Sequence, residues 1–306
     1  MKLDKNTVEL MDVDLCGVCN LDCPMCAFNF IDIEPKNHLP LKDWITLLDE
    51  YSSLKHIILA GAYSEPTIYK YFLELCGYLK TRGIDITINT NGSLHSELWW
   101  SKLAGILTPA DRVEFAIDGS TQEIHSVYRV NSSLKKVLAN AKAFRSHNHN
   151  DYAQCIRFEY NKEDCDNVKQ LASLEGFEDF ILIDSSPLYE ENSFLPYKYK
   201  KPFDTSRIGP CKELRDKYVA LDKYAEHVVK TKEGRELACM SLQEKGVHLD
   251  HYGTVQPCCF FKERGIKNWD EDYKDILDFK YDVCYVCEKS WVGMADLLEA
   301  KEQYVY

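Results

Sequence analysis

Hydrophobic positions along this chain switch repeatedly between two spacings. A β-rich opening at residues 7–15 gives way, after Pro40, to a helical pattern that sets Trp44, Leu47, Leu48 and Tyr51 on one face. The next apolar run, His56-Ile57-Ile58-Leu59-Ala60, has the length of a strand buried in a parallel sheet. A helical pattern over 68–81 stops at Arg82-Gly83, and 84–89 reads as a strand again. Further strands are expected at 112–117, 153–160 and 177–183, between helices at 95–107, 133–145 and 167–174. About six βα units in a row imply an α/β fold with a parallel sheet and crossover helices, most simply a partial (β/α)6 barrel. Chemistry in such barrels sits on loops leaving the C-terminal ends of the strands.

The alternation fails over 184–210, a Pro-, Tyr-, Phe- and Ser-rich stretch that reads as a long connection or a cover over a substrate. A charged helix is expected near 212–230, a hairpin over 247–256 turning at Asp250-His251-Tyr252-Gly253, and a last helix from 290. The expected division is a barrel at 1–187, a connection and helix at 188–238, and a small C-terminal α+β unit at 239–306. No internal repeat is visible.

Composition narrows the class. The 306 residues are 45% hydrophobic and 28% charged, enough for a sizeable core. The net charge of −12 makes nucleic acid a poor default partner. No apolar run approaches the ~20 residues of a membrane helix, and the polar opening is no secretion signal, so a cytoplasmic protein is expected. The thirteen cysteines crowd toward both ends of the chain. In a chain of this size and expected compartment that reads as two metal sites, not a disulfide framework.

The first group is Cys19-Asn20-Leu21-Asp22-Cys23-Pro24-Met25-Cys26, spaced C-x3-C-x2-C in the loop after the first strand. Three thiolates suit a four-iron cluster with one iron open; Cys16 could complete a zinc site instead. The motif and its place resemble the signature of the radical S-adenosylmethionine (radical SAM) superfamily. That resemblance implies a [4Fe-4S] cluster on Cys19, Cys23 and Cys26, with SAM on the open iron, cleaved to a 5′-deoxyadenosyl radical by one electron from a donor such as flavodoxin or ferredoxin. Gly61-Ala62-Tyr63-Ser64-Glu65-Pro66 is similar to the family's glycine-rich element, with Glu65 opposite the SAM ammonium. It lacks a second adjacent glycine, and two residues intervene before Glu-Pro. Thr90-Asn91-Gly92 resembles the ribose-side element and Ala116-Ile117-Asp118-Gly119 the end of the fourth strand, with Ala116 where relatives often carry Ser. Tyr128-Arg129-Val130 follows, where Arg129 is suited either to the SAM carboxylate or to a surface ion pair.

The second group is Cys239, Gly253 after 13 residues, Cys258 after four more, then Cys284-Tyr285-Val286-Cys287. Four thiolates close a site, as iron-sulfur cluster or zinc ribbon. The pattern resembles the twitch domain, the short relative of the SPASM extension in radical SAM enzymes, and implies an auxiliary [4Fe-4S] cluster on Cys239, Cys258, Cys284 and Cys287.

Cys76 and Cys155 are expected as buried small hydrophobes, Cys16 and Cys165 flank elements, and the nine histidines read as surface residues. Cys211, after Gly209-Pro210, is either a packing residue or a thiol near the substrate, acting as hydrogen donor or extra ligand. The expected function is oxidation of a small polar molecule at an unactivated C–H. The chain start leaves little room for a leader-binding domain, which favours a small molecule over a peptide. A peptide maturase and a non-catalytic zinc scaffold are the alternatives.

Overall fold

The structure is a computed structural model, and it describes residues 5–26, 28, 38–60, 64–147, 150–185, 207–209, 211, 246–250, 252, 253, 255 and 256. Six strands, β1 (Leu10–Val13), β2 (His56–Ala60), β3 (Asp85–Thr90), β4 (Arg112–Ala116), β5 (Asn150–Arg157) and β6 (Asp179–Asp184), pair in parallel and in chain order. Between them run α1 (Leu41–Asp49), α2 (Phe72–Thr81), α3 (Glu97–Ala104), α4 (Gln122–Tyr128), α5 (Leu134–Arg145) and α6 (Cys165–Glu175). A strand order that never reverses sends each crossover the same way, so the helices collect on one face and the sheet curls as a partial barrel.

That face carries the main core. Met11, Val13, Ile57, Leu59, Ile86, Ile88, Val113, Phe115, Ala153 and Cys155 are buried against Trp44, Leu75, Leu79, Trp100, Val137, Phe144 and Val168 of the helices. The period of two along a strand sends the alternate residues to the opposite, concave face. There the register sets Asp12 beside Ile58 and Thr87, and Ala60 beside Asn89, Glu114 and Tyr152. The concave face is therefore largely polar, unlike the fully apolar strands of a sheet covered on both sides.

The expected strands and helices are present with ends shifted by a few residues, and α4 is an addition. Its seven residues bury only His125 and Tyr128, too few for a periodic signal, and its start is fixed by Thr121 Oγ1 accepting from the Ile124 N–H at 3.3 Å. The expected hairpin is also present: β7 (Gly246–Leu249) and β8 (Val255–Gln256) pair antiparallel, with Leu249 opposite Val255. β7 also pairs in parallel with β1, Asp12 beside His248, so the sheet runs on into the segment expected of the C-terminal unit. The histidines are not uniformly superficial: His125 is fully buried and His248 is 2% exposed, because both have polar partners inside. The expected helices at 212–230 and after 290, and residues 186–206 of the expected connection, lie outside the described residues.

Candidate active site at the strand ends

The cysteine loop leaves β1 at Asp14 and lies over the C-terminal ends of the strands. Cys23, Leu21 and Met25 form a second, small core with Tyr128, Phe158 and Ile208, and Cys19 and Cys26 pack against it. The loop is tied down by the Asp22 N–H donating to the Val130 carbonyl at 3.2 Å and by a turn from Cys26 N–H to the Cys23 carbonyl at 3.1 Å. Burial pushes the thiols up, Cys19 and Cys23 to about 12 and Cys26 to about 11, so proton release must accompany metal binding. Cys16 does not join them: its thiol donates to the Glu65 carbonyl at 3.3 Å.

Among the described residues no three Cys, His, Asp or Glu side chains stand close enough to share one metal ion. A single tetrahedral ion would draw its sulfurs to within about 4 Å of one another. Three thiols from one loop, with Cys16 turned to another partner, form a donor set that suits a [4Fe-4S] cluster with one iron left open.

Glu65 is turned inward. Its Oε1 accepts from the Thr67 N–H at 3.2 Å, the Thr67 hydroxyl at 2.6 Å and the Thr90 hydroxyl at 2.6 Å, while Oε2 accepts from the Asn91 N–H at 2.8 Å. Burial raises its pKa, partly offset by these donors. The carboxylate thus braces the end of β3 against the loop after β2, with Pro66 starting the next turn. Asn91, so placed, donates to Asn20 Oδ1 in the cysteine loop at 2.9 Å and approaches Cys19 Sγ at 3.9 Å. Gly92 follows with φ of +65°, where a Cβ would lie 2.7 Å from Phe115 Cδ1, so only glycine lets the chain turn here. Gly61 and Ala62 lie outside the described residues.

Asp118 and Arg129 form an ion pair that is buried, not superficial: the Asp118 side chain is fully buried and that of Arg129 is 14% exposed. The other Asp118 oxygen accepts from the Ile156 N–H at 2.6 Å. Its carbonyl accepts from the Tyr160 hydroxyl and Asn161 Nδ2, each at 3.1 Å, and its N–H donates to His125 Nδ1 at 3.3 Å. Burial lowers His125 to about 4, so this imidazole is neutral, and its Nε2 pairs with Ser132 Oγ at 2.9 Å. Gly119 makes the arrangement possible, since a Cβ there would meet the His125 backbone nitrogen at 2.3 Å.

Cys211 is buried at the same end of the sheet. The Glu159 and Tyr160 N–H groups donate to the Gly209 and Arg207 carbonyls, each at 3.0 Å, which lays this short segment over the loop after β5 and seats Ile208 beside Cys23. Cys239, Cys258, Cys284 and Cys287 lie outside the described residues.

Sequence reasoning missed the concave face. His248 lies between two carboxylates, with Nδ1 3.4 Å from Asp12 Oδ2 and Nε2 3.4 Å from Asp14 Oδ2. Glu114 accepts from Gln154 at 2.6 Å and pairs with Arg112 at 2.7 Å. Asn89 Oδ1 is buried without a hydrogen-bond partner. The available signal was Met11-Asp12-Val13-Asp14, acids alternating with apolar residues in a strand whose other face is core.

Residues 13–158 match the Radical SAM superfamily. The chain is similar to an S-adenosylmethionine-dependent nucleotide dehydratase of Thermoplasmatales archaeon (strain ISO4-H5), 33% identical over 110 residues, 35% of this chain and 37% of that protein. It is also similar to an AdoMet-dependent heme synthase of Methanosarcina barkeri (strain Fusaro / DSM 804), 27% identical over 143 residues, 46% of this chain and 40% of that one. The aligned regions therefore span less than half of these relatives. Among solved structures, Streptococcus suis SuiB bound to S-adenosylmethionine superposes with a TM-score of 0.59 and 17% identity, over 92% of this chain and 67% of that one. The anSMEcpe structure with bound AdoMet and Cp18Cys peptide superposes with a TM-score of 0.56 and 19% identity, over 86% and 78%. The partial-barrel fold is shared with both.

Proposed function

We propose that the chain is a radical SAM oxidoreductase that abstracts hydrogen from a C–H of a small polar substrate. The observation that carries this reading is the gathering of Cys19, Cys23 and Cys26 with Asn91 and Arg129 at the C-terminal ends of the strands. Cys19, Cys23 and Cys26 hold one [4Fe-4S] cluster, and Cys239, Cys258, Cys284 and Cys287 hold an auxiliary one. When bound, the clusters and SAM supply the redox chemistry: one electron to cleave SAM to a 5′-deoxyadenosyl radical, and a sink for the second electron of the substrate's oxidation.

The residues supply placement. SAM contacts are assigned to Gly61, Ala62, Pro66 and Asn91. Glu65 fixes Asn91 and faces the ammonium end, and Arg129, fixed by Asp118, presents its remaining N–H groups to the carboxylate. The unpartnered Asn89 oxygen and the Asp12, Asp14 and Glu114 carboxylates on the concave face suit a hydroxyl-bearing substrate.

A small molecule is favoured over a peptide by the relative named for nucleotides. That relative is a dehydratase, a redox-neutral outcome, and product analysis separates the two: oxidation removes two hydrogens, dehydration removes water. Anaerobic reconstitution tests the whole reading. About eight irons per chain are expected, with 5′-deoxyadenosine formed from SAM and reductant, and about four irons in Cys284→Ala. A reconstituted chain without iron and sulfide, or without 5′-deoxyadenosine, refutes it.

A further inference from the structure

Arg129 has more than one neighbour to serve. Its Nε pairs with Asp118, which leaves the terminal N–H groups of the fork for other acceptors. The guanidinium charge acts on the Cys23 side chain, the strongest of the influences that favour its thiolate. Its position is fixed from several sides. The guanidinium carbon lies 5.1 Å from the centre of the Tyr128 ring, and Tyr128 itself packs in the small core with Cys23. The Asp22-to-Val130 backbone bond holds the cysteine loop against the turn that carries Arg129. Asp118 is held in turn by the Ile156 N–H, Tyr160, Asn161 and His125, so neither partner of the ion pair can move without breaking buried bonds. Burial opposes the charge on Arg129, but the Asp118 carboxylate outweighs it and holds the guanidinium charged.

Building on the iron-sulfur reading above, we propose that Asp118 and Arg129 set the reduction potential of the cluster held by Cys19, Cys23 and Cys26, Arg129 through its buried positive charge beside the cysteine loop and Asp118 as its positioning residue and counter-charge. A reduced cluster carries one more negative charge than an oxidised one. A fixed cation beside a ligating sulfur stabilises the reduced form and raises the potential. The fully buried carboxylate behind the guanidinium cancels part of that charge at a slightly greater distance. The two residues therefore pull in opposite directions, which a merely structural pair would not do.

The experiment is a redox titration of the reconstituted full chain without SAM, followed by electron paramagnetic resonance, on the signal that later responds to added SAM. Without SAM, any contact between Arg129 and the SAM carboxylate has no influence. Arg129→Gln is expected to keep its iron and sulfide but to lower the reduced fraction at a fixed potential about tenfold, equal to about 59 mV for a one-electron couple. Asp118→Asn is expected to shift the potential upward. An unchanged potential in a fully loaded Arg129→Gln protein overturns the proposal, and so does a shift of the same sign in both variants. Should Arg129→Gln fail to bind iron, Asp118→Asn decides alone: an upward shift supports the proposal, and no shift or a downward one overturns it. A wild-type chain that forms no cluster refutes the underlying reading and this inference with it; a loaded chain that ignores both substitutions refutes this inference only.

Discussion

The two hydrophobic cores among the described residues are built on different terms. The one between sheet and helices is closed by its own side chains: Trp44, Trp100, Phe115 and Phe144 are fully buried, and none depends on a bound group. The one under the cysteine loop is assembled from four distant stretches, with Leu21 to Met25, Tyr128, Phe158 and Ile208 arranged around three thiols. The first core makes the barrel; the second lines the proposed cofactor site. Stability and chemistry should therefore separate by core.

The sharpest break of that contrast is at the thiols. Replacing any of Cys19, Cys23 or Cys26 with Ala should abolish 5′-deoxyadenosine formation while circular dichroism and the melting temperature of the iron-free protein stay near wild type. Retained product in two of the three variants would sink the ligand assignment. The converse substitution is Phe115→Ala. It should cost about 3–5 kcal/mol in denaturant unfolding, as large aromatic truncations in packed cores do, yet protein kept folded in the cold should still load iron at Cys19, Cys23 and Cys26. A loss near zero would show that the large core is not the closed unit described.

A smaller effect tests the third environment, the concave face. Burial lowers the His248 pKa, but the Asp12 and Asp14 carboxylates, each 3.4 Å away, outweigh it and raise it from the ordinary 6.5 to about 10. The folded state thus holds a proton that the unfolded chain releases above pH 6.5. This contribution is complete below that pH and is lost as pH climbs toward 10. Unfolding free energy should fall by about 2–3 kcal/mol between pH 7 and 9, and His248→Gln should flatten that slope. Equal slopes in the two proteins would deny the imidazolium its role.

The alternation of strands and helices was legible because each βα unit buries one face against the main core, and that burial imprints a period on residues such as Trp44, Leu48, Ile57 and Leu59. The cysteine loop was legible because spacing within eight residues is local information. The Asp118–Arg129 pair was half legible: both residues stood in recognisable segments, but the bond between them depends on α4, a helix too short to leave a pattern. His248 was not legible at all. Its partners lie at the other end of the chain, and nothing near position 248 announces that β7 will lie beside β1.

That last pairing has a kinetic side. From β1 to β6 every strand lies beside the next in the chain, so the sheet can grow by short loop closures that each cost little entropy. β7 must instead find β1 across almost the whole sequence, Leu10 beside Gly246 and Val13 beside Leu249. This is the contact of highest order in the sheet, and it is expected to form after the others. The barrel's first strand would then spend the early part of folding as an open edge, with Asp12 and Asp14 charged and unpaired on it. Two adjacent carboxylates on an exposed strand repel a second copy of the same strand. The acids that later clasp His248 would thus guard the nascent sheet against self-association until its own last strand arrives.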